Sequence, residues 1–371
     1  MSEYTVLLYD AYGVPLTELG QFSYLELVRS EMGVGSLTLH LPPDYDAYLF
    51  SEGDLIVDRR IEVYRQPFGG AAYLEGETQF LLRDGTQVSE ATQRTELSCP
   101  DANDLLARRI VAYAAASAQA SKTIDPADDM LKAIVRENLG ALATDTDRDW
   151  SAYLMVAPDF SLGPNLSKAF SRRNVLTVLQ EIAQASAEAG TYLTFDVVRV
   201  DAAMLDFRTY TGQRGIDHRW PGGVSPVLLS EGRGSLRDVR SARKHRDEIT
   251  YVYAGGQGEE AARTIGTASD TARIGQSPFG RIEQFVDARM TSDAASLADE
   301  ADAALRAGQP RKSFSAQFAE TPGVVYGLHI RWGDYVTAER AGESIDCRLS
   351  TIQITVSEGR ENIGLSLRAE S

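Results

Sequence analysis

The sequence predicts a mainly β protein with α+β parts: two similar β-barrels, a small α/β domain and an inserted hairpin-helix subdomain. Three observations support this: short apolar strands at about ten-residue spacing towards both ends, two helical patterns between them, and an echo of the first region in the last. The 371 residues exceed what one core usually carries. The predicted domains are residues 1–100, 101–220 and 221–371, the last with an insertion at about 248–325.

The first predicted domain consists of short strands joined by turns. In "GSLTLHLP", Leu37, Leu39 and Leu41 alternate with polar residues, as in a strand with one buried face. The dipeptide Asp84-Gly85 predicts the tip of a hairpin.

Two helices and a hairpin characterise the second predicted domain. In "DPADDMLKAIVRENLG", Asp125 is expected at the N-cap, Pro126 at the first helical position and Gly140 at the stop. "SRRNVLTVLQEIAQASAEAG" predicts a second helix that ends at Gly190. "TYLTFDVVRV" and "AMLDFRTYTG" then alternate as two strands of a β-hairpin.

The last predicted domain contains the internal echo. "SEMGVGSLTLHL" and "SEGRGSLRDV" both run from Ser-Glu through a glycine turn to Gly-Ser-Leu, and a Gly-Asp pair follows later in each region. Two copies of one barrel would explain the echo, and a chance match is the alternative. The insertion would hold a helix in "DAASLADEADAALRAG", opened by Thr291 or Ser292 and stopped near Gly308.

Composition argues against several functions. A formal charge of −16 argues against a protein that coats DNA, and it would suit a channel that DNA passes without sticking, although many soluble proteins are acidic. No apolar run approaches the ~20 residues of a membrane helix, and the N-terminus lacks a basic signal region. Synthesis in a cytoplasm is therefore expected. Cys99 and Cys347 are expected to be buried thiols.

The stretch "YVYAGGQGEE" is the strongest candidate for a ligand site. A Walker loop needs Lys and then Ser or Thr after its last glycine, whereas Glu259 and Glu260 stand here and would repel a phosphate. "AARTIGTASD" is typical of a returning strand, not of the helix that a dinucleotide site requires. We therefore predict a hairpin tip in which Gly255, Gly256 and Gly258 permit a positive-φ turn.

Other motifs give weaker signals. "DTDRDW" resembles a calcium loop, but Trp150 and Val156 stand where an EF-hand needs Gly and Glu, so a solvated acidic loop is favoured. The basic run at 240–248 fits a solvated face, with a partner contact or nucleic acid as alternatives. The four histidines are isolated and no G-x-S-x-G elbow is present. Serine triads and carboxylate pairs stay open, because their members meet only in the fold. No catalytic residue, cofactor or metal is predicted.

The order of the segments resembles a known family. "YLELVRSEMGVGSLTLHLP", "DLLARRIV", "NVLTVLQEIAQ", "GGQGEEAARTI", "SPFGRIEQFVDAR" and "YGLHIRWGDYVTA" follow one another over nearly the whole chain. This string resembles the tail-tip hub proteins of long-tailed (siphovirus) phages, which are similar to the central baseplate hub of contractile tails. No single motif is diagnostic, so the string as a whole carries the resemblance.

The resemblance implies a structural virion protein at the tail tip, made in the host cytoplasm, and not an enzyme. It implies a homotrimer with two tail-tube-like barrels per subunit, which adapts a sixfold tube to a threefold tip and lines the DNA exit channel. The implied partners are the distal tail ring protein, the tape-measure protein C-terminus, and central fibre or receptor-binding proteins. DNA would pass through the lumen without specific binding, and we expect Asp and Glu side chains to face it. Because the chain ends at Ser371, soon after the last predicted strand, no built-in lysin is expected.

Two alternatives remain. One is the hub of a contractile tail or injection particle. The other is a cell-wall-degrading hydrolase, whose mark would be two carboxylates roughly 5–9 Å apart in a cleft. For a hub, we predict that the hairpin tip contacts an adjacent subunit or tail ring through Gly255, Gly256, Gln257, Gly258 and Glu259.

Overall fold

The chain divides into two compact units. The computed structural model describes residues 2–89, 93–113, 121–170, 172–259, 262–289, 294–340 and 342–369. Residues 1–186, 191–240 and 314–370 form the first unit, and 187–190 with 241–313 form the second. The protein is mainly β, with 43% strand and 17% helix, as predicted. No helix in the described ranges is long and apolar enough to span a bilayer.

The first unit begins with a run of short strands. They are β1 (Glu3–Tyr9), β2 (Pro15–Glu18), β3 (Tyr24–Ser30), β4 (Ser36–Leu41), β5 (Phe50–Ser51), β6 (Asp54–Leu55), β7 (Arg60–Gln66), β8 (Tyr73–Leu74), β9 (Phe80–Leu81), β10 (Asp84–Ser89) and β11 (Gln93–Pro100), with the one-turn helices α1 (Asp46–Leu49) and α2 (Asp104–Ala107). As predicted, Leu37, Leu39 and Leu41 lie on one face of β4 and are at most 1% exposed.

The prediction of a hairpin tip at Asp84-Gly85 is wrong. Both residues lie inside β10, where Asp84 pairs with Ser98 and Gly85 with Leu97 of β11. The residues between these two strands, 90–92, are outside the described residues. The glycine serves close packing instead of a turn, because a Cβ on Gly85 would lie 2.7 Å from the Leu55 side chain.

The α/β part follows the predicted order. Its elements are β12 (Ser121–Pro126), α3 (Ala127–Leu139), β13 (Leu154–Val156), β14 (Asn165–Ala169), α4 (Val175–Glu188), β15 (Leu193–Arg199) and β16 (Leu205–Thr211). Leu131, Ile134 and Val135 of α3 are fully buried, and β15 pairs antiparallel with β16, both as predicted.

The predicted start of the first helix is wrong, whereas its end is confirmed. Asp125 and Pro126 are the last residues of β12, so Asp125 does not cap α3. Pro126 occupies the cap position with φ −54° and ψ 135°, a conformation that its ring favours. Gly140 follows the last helical residue.

The remaining elements span both units. They are β17 (Leu228–Ser230), β18 (Leu236–Lys244), β19 (Tyr251–Gly255), β20 (Ile265–Ser269), α5 (Thr271–Ile274), β21 (Glu283–Asp287), α6 (Ala294–Ala307), β22 (Arg311–Phe318), β23 (Tyr335–Arg340), β24 (Glu343–Ser357) and β25 (Arg360–Ala369). Gly308 follows α6 as predicted, while Thr291 and Ser292 lie outside the described residues.

One large sheet joins the first and last β regions. Over the described strands its order is β10-β11-β4-β3-β24-β25-β22-β18, and β23 and β17 extend from β24. The junction is antiparallel pairing of β3 with β24, from Ser30–Thr351 to Tyr24–Ser357. A smaller sheet runs β2-β1-β7-β8, with β9 on β7. Among the described strands no sheet closes into a barrel, so the prediction of two closed β-barrels is not confirmed.

Each part has its own apolar core. In the first unit, separate clusters surround Leu27 in the first β region, Val197 in the α/β part and Ile352 in the last β region. In the second unit, sheet β20-β19-β21 packs against α6, and Val252 and Leu297 are fully buried between them. The three-domain division with an insertion stays a prediction.

Candidate functional site

The predicted contact residues lie at the end of the β19–β20 hairpin in the second unit. β20 returns antiparallel to β19, as "AARTIGTASD" predicts. The ladder continues beyond β19, since the N–H of Gly256 donates to the carbonyl of Thr264 over 2.8 Å. Gly255 and Gly256 are buried. The exposed residues of the set are Gln257, Gly258 and Glu259.

The three glycines have different roles. Only Gly258 has a positive φ, +103°, so the predicted turn role is correct there and wrong for Gly255 and Gly256. A Cβ on Gly255 would lie 2.5 Å from the Phe285 ring and 2.7 Å from Arg263 Nε. Arg263 donates to the carbonyl oxygens of Gly255 and Gly256 over 2.9 and 3.0 Å. The loop thus binds a cation of its own chain through carbonyls, whereas a phosphate cradle uses N–H groups.

The first unit contains a buried charge cluster where its three parts meet. Arg29 of β3 places its guanidinium between Asp101, which follows β11, and Asp196 of β15, and all three side chains are at most 1% exposed. Arg29 Nη1 contacts Asp101, and Nη2 donates to Asp196 Oδ2 over 2.6 Å. Arg214 Nη2 donates to the same Asp196 oxygen over 3.0 Å. Two cations therefore balance two buried carboxylates.

Trp332 packs on this charge cluster. The centre of its ring lies 4.6 Å from Arg29 Cζ and 3.9 Å from Arg214 Cζ, within cation–π range. Burial raises the pKa of Asp101 to about 6, although the charge of Arg29 lowers it. Burial alone would lower the pKa of Arg29, but the carboxylates of Asp196 and Asp101 raise it overall, so Arg29 stays charged. The two carboxyls are too deeply buried to reach a polymeric substrate.

A second buried cluster joins the start of the chain to its last strand. Arg65 of β7, with a fully buried side chain, donates through Nε to Glu361 Oε1 of β25 over 2.8 Å and through Nη1 to the carbonyl of Tyr326 over 2.7 Å. The hydroxyl of Tyr4 in β1 also contacts Glu361. Burial would raise the pKa of Glu361, but the hydrogen bond and charge of Arg65 outweigh burial and hold the pKa below its usual value.

A third cluster joins the first β region to the α/β part. Glu62 of β7 is fully buried and accepts from Arg199 Nε over 2.9 Å and from Gln79 Nε2 over 2.7 Å. The backbones also approach closely here, because a Cβ on Gly13 would lie 2.4 Å from the carbonyl oxygen of Ala202. The three clusters make the first unit a single cross-linked framework.

The large sheet has an apolar and a polar face. Leu27 and Ile354 pair across the β3–β24 junction and are fully buried. The opposite face carries the cross-strand row Glu26, Thr355 and Asn362. A groove of about 690 Å³ lies over this face, and its lining includes Val28, Asp238, Arg240, Gln317, Thr351 and Gln353. Six of the lining residues carry hydroxyl or amide groups, five are apolar or glycine, and the one acid is balanced by one arginine.

The other predicted residues occupy simple environments. Cys99 and Cys347 are buried free thiols, as predicted, and burial raises the pKa of both, that of Cys347 to about 12. Asp145, Asp147 and Asp149 are exposed, as expected of a solvated loop. Over the described residues, no group of three or more His, Cys, Asp or Glu side chains is arranged to hold a metal ion.

The sequence reasoning missed the buried clusters. Arg29 lies 72 residues from Asp101 and 167 from Asp196 in sequence, so no local motif joins them. One signal was present: in "YLELVRS", the alternation that buries Leu25 and Leu27 places Arg29 on the same apolar face. A charge on such a face predicts a buried partner of opposite sign.

The matches to known proteins cover nearly the whole chain. The sequence model of the family described as Siphovirus ReqiPepy6 Gp37-like protein matches residues 5–367. No curated protein matches the sequence significantly. Among solved structures, the fold is similar to the 43 kDa tail protein of prophage MuSo2 from Shewanella oneidensis, with 12% identity, a TM-score of 0.59 and 98% of each chain covered.

Two further solved structures share the fold. A tail protein from Neisseria meningitidis MC58 has 12% identity and a TM-score of 0.58, with 99% of this chain and 97% of that chain covered. The prophage tail protein gp18 from Listeria monocytogenes EGD-e has 12% identity and a TM-score of 0.51, with coverages of 99% and 95%. At these identities the likeness shows a shared fold.

Proposed function

The chain belongs to the Siphovirus ReqiPepy6 Gp37-like family, and from that premise we propose that it is a structural protein of the phage tail tip. The family match over nearly the whole chain carries the proposal. Full-length similarity of fold to three tail proteins supports it. Such a protein works through its rigidity and its surfaces, and the three buried clusters supply rigidity.

In the proposed assembly, three copies form the hub. Each copy contributes a first and a last β region, which correspond to two tube-like domains and share one sheet through β3 and β24. Three copies would then place six such regions around one axis, which matches a sixfold tube. The hub would bind the distal tail ring protein, the tape-measure C-terminus, and central fibre or receptor-binding proteins.

The polar face of the large sheet is the proposed wall of the DNA exit channel. Its groove carries hydroxyl and amide groups and a balanced pair of charges. A groove lining with balanced charges neither attracts nor strongly repels the phosphate backbone, so DNA can pass without adhering. An acidic lining, with Asp and Glu side chains facing the lumen, is the alternative to this arrangement and stays a prediction.

The hydrolase alternative finds no support in the described residues. Asp101 and Asp196 share Arg29, and their side chains are at most 1% exposed. A glycosidase pair must reach its substrate from opposite sides of a cleft.

Reconstruction of a tail tip that contains this chain tests the proposal. We expect three copies around the axis, with the polar sheet face on the lumen. Absence of the chain from purified tails would overturn the proposal, and so would a position away from the tip. Mass photometry of the purified chain gives an independent check, for which we expect a trimer.

A further inference from the structure

A cavity of about 390 Å³ lies in the first unit, where the segment after β16 meets the segment before β23. This volume is within the range of sites that bind small ligands. The apolar part of its lining is Ile216, Leu328, Ile330 and Trp332. Ile216 and Leu328 are 53% and 50% exposed, whereas Ile330 and Trp332 are buried. The apolar wall thus extends from solvent into the buried part of the cavity.

The two acids of the lining already have partners. Asp334 accepts the N–H of Ile216 through Oδ1 over 2.7 Å and the N–H of Arg331 through Oδ2 over 2.6 Å. Glu77 accepts from Arg214 Nη2 over 3.2 Å. Each acid is therefore engaged by donors of the chain itself.

Three side chains of the lining offer N–H groups to a ligand. The side chain of Arg214 is 4% exposed, and its buried Nη1 has no partner in the described residues. Arg331 is exposed, and within the described residues only its Nε–H makes a hydrogen bond, to the carbonyl of Gly327. His329 Nδ1 accepts the N–H of Val325 over 2.9 Å, so the neutral ring carries its proton on Nε2 as a donor. A buried donor without a partner is costly, so a ligand that accepts from it binds favourably.

The walls of the cavity are fixed by the chain's own contacts. Asp334 ties the two segments together through its two hydrogen bonds, and the N–H of Gly215 donates to the carbonyl of Gly333 over 3.0 Å. Gly333 has a φ of +88°, and a Cβ there would lie 2.8 Å from Arg214 Cδ, so the glycine makes room for the arginine. Groups that are ordered in advance lose less conformational entropy on binding.

We propose that this cavity binds a carboxylate carried on an apolar body, the chemistry shared by the C-terminal residue of a polypeptide and a small aliphatic acid. The N–H groups of Arg214, Arg331 and His329 would bind the carboxylate, and a guanidinium fork suits its two oxygens. The apolar body would pack on Leu328. Two arginines and two acids line the cavity, so a single negative charge fits it better than a polyphosphate. The site does not depend on the tail-tip proposal.

Ligand-observed NMR titration of the full-length chain tests the site with N-acetyl-leucine. We expect saturable binding with a Kd of about 0.1–5 mM, as a ligand of about a dozen non-hydrogen atoms allows. N-acetyl-leucinamide is the matched neutral ligand and should bind at least about tenfold more weakly, because it lacks the charge. Absence of binding would overturn the proposal, and so would equal binding of the acid and the amide.

Variants at the cavity place the binding site. Leu328→Asp should bind the acid at least about fivefold more weakly than Leu328→Asn, because the two differ in one negative charge. Arg331→Gln should weaken binding about tenfold. The control is Arg360→Gln, which changes an exposed arginine of β25 outside the cavity and should leave the Kd unchanged. Thermal unfolding near the wild-type temperature checks the fold of each variant. Equal Kd values for the Arg331 and Arg360 variants would overturn the site.

Two further ligands identify the source of the carboxylate. N-acetyl-glycyl-leucine should bind more tightly than hexanoate if a polypeptide C-terminus is the natural occupant, because the added peptide unit extends along the lining. Hexanoate that binds as tightly as the peptide would instead identify a free aliphatic acid, and both results support the carboxylate site. If neither ligand competes with N-acetyl-leucine, the proposal is wrong, whereas the position of the chain in the tail is tested separately by the reconstruction.

Discussion

Arg29 Nη2 donates to Asp196 Oδ2 over 2.6 Å, although the two residues are 167 positions apart in sequence. The contact joins β3 of the first β region to β15 of the α/β part. Since β3 also pairs with β24, a single strand links all three parts of the first unit. Mechanical force on one part of a tail component would therefore reach the others through β3.

Replacing Arg29 by methionine should destabilise the first unit strongly. Met keeps an apolar stem of similar length but leaves Asp101 and Asp196 without their shared cation. Removing one partner of a buried ion pair typically costs about 3–5 kcal/mol. Urea unfolding measures the change. The control is Arg208→Met, which breaks a pair whose arginine is 48% exposed and should cost less than about 1 kcal/mol. A cost for Arg29→Met equal to the control would contradict the importance of the cluster.

Asp101 should make stability fall as pH rises. Burial raises its folded pKa to about 6, above the unfolded value of about 3.9. The folded state therefore holds this proton more tightly, and the favourable contribution is complete below about pH 4 and lost by about pH 6. Asp101→Asn should remove this fall. The measurement is the free energy of unfolding of both proteins from pH 4 to 7, and a constant difference across that range would rule out the titration.

Glu361 should have the opposite effect, so that its titration makes stability fall as pH falls. Arg65 holds its folded pKa below the usual value despite burial. The pair then contributes stability above the unfolded pKa of about 4.3 and loses it as pH falls through the folded pKa. Glu361→Gln should lower stability by about 1.5–3 kcal/mol at pH 7. The difference in the free energy of unfolding between the variant and the wild type should be smaller at pH 3. A difference of the same size at pH 3 would show that lost packing, and not lost charge, is the cause.

Local signals in the sequence predicted local structure, but they did not predict contacts between residues that are far apart in the sequence. The alternation of Leu37, Leu39 and Leu41 is enough to define the buried face of a strand. The Asp84-Gly85 dipeptide led to the wrong prediction of a hairpin tip. The sequence does not distinguish a glycine that makes room for a neighbouring side chain from a glycine that permits a turn. The β3–β24 junction could not be predicted, since the sequence has no local feature that specifies which strands pair at their edges.

The exposed tip of the β19–β20 hairpin should act in assembly and not in folding. Gln257 and Glu259 are exposed, so the double variant Gln257→Ala/Glu259→Ala should change unfolding by no more than about 0.5 kcal/mol. If the tip contacts an adjacent subunit or tail ring, incorporation of the variant into tails should fall in competition with the wild type. Gly255→Ala is the contrasting variant, because its added Cβ would press on Phe285 and Arg263 and should destabilise the second unit. Normal incorporation of the double variant, together with normal stability, would show that the tip makes no contact in the tail.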